Sequence, residues 1–115
     1  MKQKVLILQV GNYADDVEFP KISREINEKY AELHGYDYKW ETFESGVSFR
    51  EANKFKFIAM LKYFDQYDII CFLDADAAFV NPAIIVTDFI DDEHYIFMAN
   101  DGAYINYYNE LPLIR

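Results

Sequence analysis

The chain is short of cysteine, of positive charge and of long apolar runs, and each shortage narrows what it is. Its one cysteine, Cys71, has no partner, so no intrachain disulfide forms and a reducing compartment is compatible. Set among apolar neighbours, it reads as a small buried hydrophobe. Lys and Arg number 11 against 20 Asp and Glu, a net charge of -9. General binding to nucleic-acid phosphates needs clustered cations, so this balance argues against it. A phosphate ligand stays possible, because a bound metal supplies local positive charge. No segment approaches the ~20 consecutive apolar residues of a membrane span. The stretch after Lys4 is too short for a signal peptide, is interrupted by Gln9, and is followed by no small-residue cleavage site. A soluble, cytoplasmic protein is expected. Repeats, low-complexity tracts and interdomain linkers are absent too.

What the chain has is apolar mass: 52% hydrophobic and 18% aromatic residues over 115 positions, enough for one cored domain. Lys4 to Val10 is a β-branched and Leu run stopped by Gly11-Asn12, a buried first strand. Pro20 suits the first turn of a helix, and Ile22, Ile26, Tyr30 and Leu33 fall on one face of it. Gly35 sits where a left-handed cap is expected. Asp37 to Phe43 alternates as a second strand. Arg50 to Gln66 is a second helix with Phe57, Ile58, Met60, Leu61 and Phe64 as its inward stripe. Ile69 to Leu73 is a third strand, Asn81-Pro82 breaks the chain, Ala83 to Ile90 reads as a short helix, and Tyr95 to Ala99 as a fourth strand. Alternating strands and helices with right-handed crossovers give an α/β fold with a mostly parallel sheet covered by helices.

The sharpest feature is the end of the third strand. An apolar run meets Asp74-Ala75-Asp76, two carboxylates with nothing nearby in sequence to neutralise them. Ligands of parallel α/β sheets bind at the carboxyl ends of strands. If strand geometry persists through 76, the two side chains point the same way with Cα atoms ~6.6 Å apart. Two anions so close repel, and a hard cation such as Mg²⁺ or Mn²⁺ removes the conflict. Bound to a nucleoside diphospho-sugar, that cation would stabilise charge on the departing diphosphate. The small Ala75 would let the donor lie close over the backbone. At 100° per residue, Lys54 falls near the centre of the Phe57, Ile58, Leu61 and Phe64 stripe, whereas Lys56 and Lys62 project away as solvated charges. His34 reads as a helix-end cation, and Tyr36, Tyr38 and Trp40 as core and rim.

Three segments together resemble a known family. Lys29-Tyr30-Ala31-Glu32-Leu33-His34-Gly35-Tyr36-Asp37-Tyr38 is similar to the "YA..HGYD" segment of fungal α-galactosyl- and mannosyltransferases and plant xyloglucan xylosyltransferases. Glu51-Ala52-Asn53-Lys54 stands at that family's Trp-x-Lys, keeping the Lys and replacing the Trp with Ala52. Leu73-Asp74-Ala75-Asp76-Ala77 matches its "LDADA" strand end. The resemblance covers Val5 to Pro82 and implies the Rossmann-like, nucleotide-diphospho-sugar-binding half of a GT-A glycosyltransferase. It implies that Val10, Gly11, Asn12 and Tyr13 line the base and ribose, that Lys54 reaches the diphosphate or sugar, and that Asp74 and Asp76 hold Mn²⁺ or Mg²⁺. The implied activity is retaining transfer of a hexose or pentose from a UDP-linked donor to a carbohydrate or glycoconjugate acceptor. No catalytic nucleophile is assigned.

Members of that family continue into an acceptor-binding half, including an "N-x-G" strand and a late metal-binding His, whereas this sequence reaches Leu111-Pro112-Leu113-Ile114-Arg115 with no evident closing element. A single, truncated donor-binding domain over 1–115 is therefore expected, with nucleotide-sugar binding more secure than turnover. The rival readings are a haloacid-dehalogenase-type phosphohydrolase with Asp74 as nucleophile, a topoisomerase-primase-type metal fold, and a non-catalytic metal- or nucleotide-binding module.

Overall fold

The computed structural model describes residues 3–13, 17–43 and 47–96. The chain divides into two compact units, Met1–Ile85 and Val86–Arg115. In the first, the elements run β1 (Val5–Val10), α1 (Glu18–His34), β2 (Asp37–Glu41), α2 (Phe49–Tyr63) and β3 (Ile69–Leu73). In the second, the described residues form a single 3-10 turn, Val86–Phe89, and a loop in which the Asp91 carboxylate accepts from the amides of Glu93 and His94. The expected helix over Ala83 to Ile90 contracts to that turn. The expected fourth strand lies outside the described residues except for Tyr95 and Ile96, which are exposed and belong to no strand.

The sheet is parallel throughout, in the order β2-β1-β3. β1 is central and buried along its whole length, which is why it is apolar at nearly every position rather than alternating. Leu6, Leu8 and Val10 pack with Ala59 and Tyr63 of α2, while Val5 and Ile7 pack with Tyr30 and Ala31 of α1. The two helices therefore cover opposite faces, and the odd-numbered residues of β1 belong to the α1 side.

Local signals fix the helix ends. Gly35 takes a left-handed conformation (φ 73°), and the amides of Gly35 and Tyr36 donate to the carbonyls of Glu32 and Ala31, the paired bonds of a Schellman cap. Ser48 caps α2 by accepting from the Glu51 amide at 3.2 Å.

Both helix faces differ from the expected ones. On α1 the buried residues are Pro20, Ser23, Asn27, Tyr30 and Ala31. Of the expected stripe only Tyr30 is inside; Ile22 is 54% and Leu33 65% exposed. On α2, Phe57, Ile58, Leu61 and Phe64 are exposed by between 59% and 68%; of the expected stripe only Met60 packs against the core, with Phe55, beside the buried Ala59 and Tyr63. On α1 the inward positions include the small or polar Ser23, Asn27 and Ala31, so hydrophobicity alone selects the wrong face there.

Three acids inside this unit are held neutral. Burial pushes the Cys71 thiol from its ordinary 9.0 up to about 11. Burial, outweighing nearby Arg24, raises Tyr38 from 10.0 to about 12. Burial and a hydrogen bond to Asp37 raise Tyr67 from 10.0 to about 12. Groups whose pKa rises on folding stabilise the native state below their unfolded pKa and lose that contribution as pH climbs through the folded value. Stability should therefore fall steadily from pH 9.0 to about 12. Urea midpoints at about pH 8 and about pH 11.5 check this, and Cys71→Ser should blunt the lower part of the loss.

Candidate functional site

The chain reverses direction across the sheet at β1, passing to β2 on one side and β3 on the other. In such sheets the crevice outside the carboxyl ends of the diverging strands is the binding position. Gln9 is in register with Leu73, so Val10 and Asp74 leave their strands side by side. The two segments singled out in sequence, 10–13 and 74–76, thus meet at one edge.

Strand geometry stops at Leu73. Asp74 to Ala77 is a tight turn closed by the Ala77 amide donating to the Asp74 carbonyl at 2.9 Å. The carboxylates accordingly project from a turn, not from successive same-side strand positions. Both acids are exposed, while Ala75 between them is 7% exposed. Ala75 is small because it packs inward, and its carbonyl accepts from Ser23 Oγ at 2.5 Å.

The cation at this loop is Lys56, whose Nζ lies 3.3 Å from Asp74 Oδ1. Lys54 and Lys56 are 200° apart around the helix, so exposing the Phe57–Phe64 stripe turns Lys54 outward and Lys56 toward β3. Lys54 is exposed and lines a hollow of about 410 Å³ with Phe43, Val47, Glu51, Phe55 and Ile58, to which neither Asp contributes. The expectation that Lys56 is merely solvated is overturned, because it is half-buried and paired.

After β1, Gly11 is buried and continues the ladder, its amide donating to the Glu41 carbonyl at 3.0 Å. A Cβ on Gly11 would stand 2.7 Å from the Trp40 ring, so the backbone passes directly against the indole. The Arg24 guanidinium lies 4.7 Å from the Trp40 ring centroid. Asn12 and Tyr13 join Lys21, Arg24, Trp40 and Thr42 around a cavity of about 130 Å³. Two cations, an amide and an aromatic wall suit part of an anionic, ring-bearing ligand. At that volume the cavity holds a fragment of one, since pockets for whole small molecules run to ~300 Å³ or more. Arg24 was not a sequence candidate; only its spacing from Pro20 placed it on the same end of α1.

His34 Nε2 donates to the Pro82 carbonyl at 2.7 Å, and Tyr30 stacks on Phe79 at 3.7 Å between centroids while its hydroxyl donates to the Ile84 carbonyl. His34 is thus a clasp between helix end and loop, beyond the helix-end charge expected of it.

Two exposed carboxylates are hard oxygen donors of the kind Mg²⁺ and Mn²⁺ accept, and no third His, Cys, Asp or Glu among the described residues joins them. That donor set fits a cation that keeps waters and completes its shell with substrate phosphates. It does not resemble an all-protein metal cage.

No protein-family model matches the chain, and no curated protein sequence matches it. Among solved structures, it is similar to the crystal structure of a glycosyltransferase involved in the glycosylation of the major capsid of PBCV-1. The TM-score is 0.61 at 21% identity, over 79% of this chain and 47% of that one. The chain therefore shares the fold of a glycosyltransferase and spans about half the length of that neighbour. The α/β, parallel-sheet expectation stands. No helix among the described residues is long and apolar enough to cross a membrane.

Proposed function

We propose that this chain is the donor-binding part of a metal-dependent glycosyltransferase, taking a hexosyl or pentosyl group from a UDP-linked sugar with retention. The observation carrying this reading is the pair of exposed carboxylates, Asp74 and Asp76, beside the strand-order reversal of a fold shared with a glycosyltransferase. Asp74 and Asp76 would supply oxygen ligands to Mn²⁺ or Mg²⁺. The ion, when bound, would neutralise charge on the diphosphate as its bond to the sugar C1 breaks and the acceptor oxygen takes its place. Asn12, Arg24 and Trp40 would hold part of the nucleotide, and the acceptor would be a carbohydrate or glycoconjugate.

Lys56 gives the site a second cation. Its pair with Asp74 is partly exposed, and such pairs are worth ~0–1 kcal/mol, weak enough for a divalent ion to displace. Once displaced, the ammonium stands ready for a diphosphate oxygen. Lys56→Met should therefore tighten Mn²⁺ binding to the free chain by at most about fivefold, yet weaken UDP binding by about tenfold or more. Changes of the same sign in both titrations would argue against this role.

The test of the whole reading is calorimetry with UDP in the presence and absence of Mn²⁺. Binding that appears only with the metal is expected. A folded chain that binds neither would overturn the proposal. Binding is the proper readout, because it needs only residues already in place at this edge.

A further inference from the structure

Among the described residues, the buried polar ones are Gln9, Ser23 and Asn27, exposed by 0%, 4% and 0%. They come from two elements, β1 and α1, yet all three bond to one short stretch of chain. Gln9 Nε2 donates to the carbonyls of Asp74 (3.0 Å) and Ala77 (3.4 Å), and its Oε1 accepts from the Tyr38 hydroxyl at 2.7 Å. Ser23 Oγ donates to the Ala75 carbonyl at 2.5 Å. Asn27 Nδ2 donates to the Ala77 carbonyl and its Oδ1 accepts from the Phe79 amide, both at 2.9 Å.

Their partners on this stretch are backbone groups, so no apolar side chain could stand in their place without leaving carbonyls unbonded. What the three side chains do achieve is to draw the carbonyls of 74, 75 and 77 inward, leaving the carboxylates of Asp74 and Asp76 on the outside. We infer that Gln9, Ser23 and Asn27 are positioning residues, which hold the backbone of 74–79 so that the two acids are presented to a divalent cation before it arrives. This rests on the metal-binding reading of Asp74 and Asp76. Fixing the loop in advance removes an ordering cost from ion binding, and partners one step behind metal ligands typically change metal affinity by ~10–100-fold when removed.

Asn27→Leu and Ser23→Ala test it, with two readouts on each: amide hydrogen exchange without metal, and titration with Mn²⁺ alone. In Asn27→Leu the amides of Ala77 and Phe79 should exchange at least about tenfold faster, with those of β1 unchanged, and the Mn²⁺ dissociation constant should rise by ~10–100-fold. Ser23→Ala covers the case in which Asn27→Leu fails to fold. Alanine is the better helix former, so the fold is kept while the bond to the Ala75 carbonyl is lost. Its Mn²⁺ affinity should fall while the chain remains fully folded at the assay temperature, and Ser23→Thr, which keeps the hydroxyl, should restore it. A merely structural role predicts that stability moves and Mn²⁺ affinity does not. Unchanged Mn²⁺ affinity in both folded variants overturns the inference. Failure of the wild type to bind Mn²⁺ at all overturns the metal reading on which it rests. The exchange measurement then still separates a held loop from an unheld one: acceleration confined to Ala77 and Phe79 supports holding, and no acceleration rejects it.

Discussion

Asp74→Asn with Asp76→Asn should abolish Mn²⁺-dependent UDP binding, a loss of at least about 100-fold, while leaving the chain folded. The magnitude follows from the donor set. Removing a group one step behind a metal ligand already costs ~10–100-fold, and here both protein ligands are replaced by neutral amides of the same shape. The fold survives because neither acid is buried and the interaction lost, with Lys56, is a partly exposed pair worth ~0–1 kcal/mol. The turn itself is held by backbone carbonyls and the buried amides beneath it, none of which the substitutions touch. Calorimetry with UDP and Mn²⁺ reads the first part and thermal unfolding the second. Retained metal-dependent binding in the double variant would remove these two acids from the site. The single variants carry a further distinction, because only Asp74→Asn also frees Lys56.

The strands of this protein are legible in its sequence and the helix faces are not, for a reason visible at particular residues. β1 is covered on both sides, so every position but one is apolar and no choice of face arises. Gly35 announces its left-handed cap because only glycine takes that conformation without strain. α1 misleads because its inner face serves the loop after β3: Ser23 and Asn27 are inside to bond carbonyls fifty or more positions later, and Ile22, Ile26 and Leu33 are displaced outward. The same inversion on α2 exchanges the lysines, since Lys54 and Lys56 are 200° apart and a wrong face selects the wrong one. The end of the third strand at Leu73 is legible, but the tight turn that follows is not, because the anchors that bend the chain there lie far away in sequence. Two clues were nonetheless present. Gln9 is the lone polar residue of an otherwise apolar strand, and Ser48 with Glu51 forms the Ser-x-x-Glu pattern of a helix start.

Gly11→Ala should damage both stability and nucleotide binding, and the main physical cause is the contact with Trp40. The added Cβ would meet the Trp40 ring at 2.7 and 2.8 Å and the Tyr13 ring at 3.1 Å. Distances under about 3.0 Å cannot stand, so the half-buried indole must move. Overpacking of this kind costs ~1–3 kcal/mol. Moving the indole also separates it from Arg24 and reshapes the cavity that Asn12, Tyr13 and Trp40 share. UDP affinity should therefore fall by about tenfold or more, since at 1.4 kcal/mol per decade even half of the upper steric cost suffices. The backbone of Gly11 itself has no left-handed conformation, so only side chains oppose the new methyl group, the Trp40 ring first and the Tyr13 ring second. That makes the cause separable by a double-mutant cycle. In a Trp40→Leu background, Gly11→Ala should cost well under ~1 kcal/mol, because the smaller side chain leaves room for Cβ. An equal penalty in both backgrounds would mean that the glycine is required for something other than the approach of the indole.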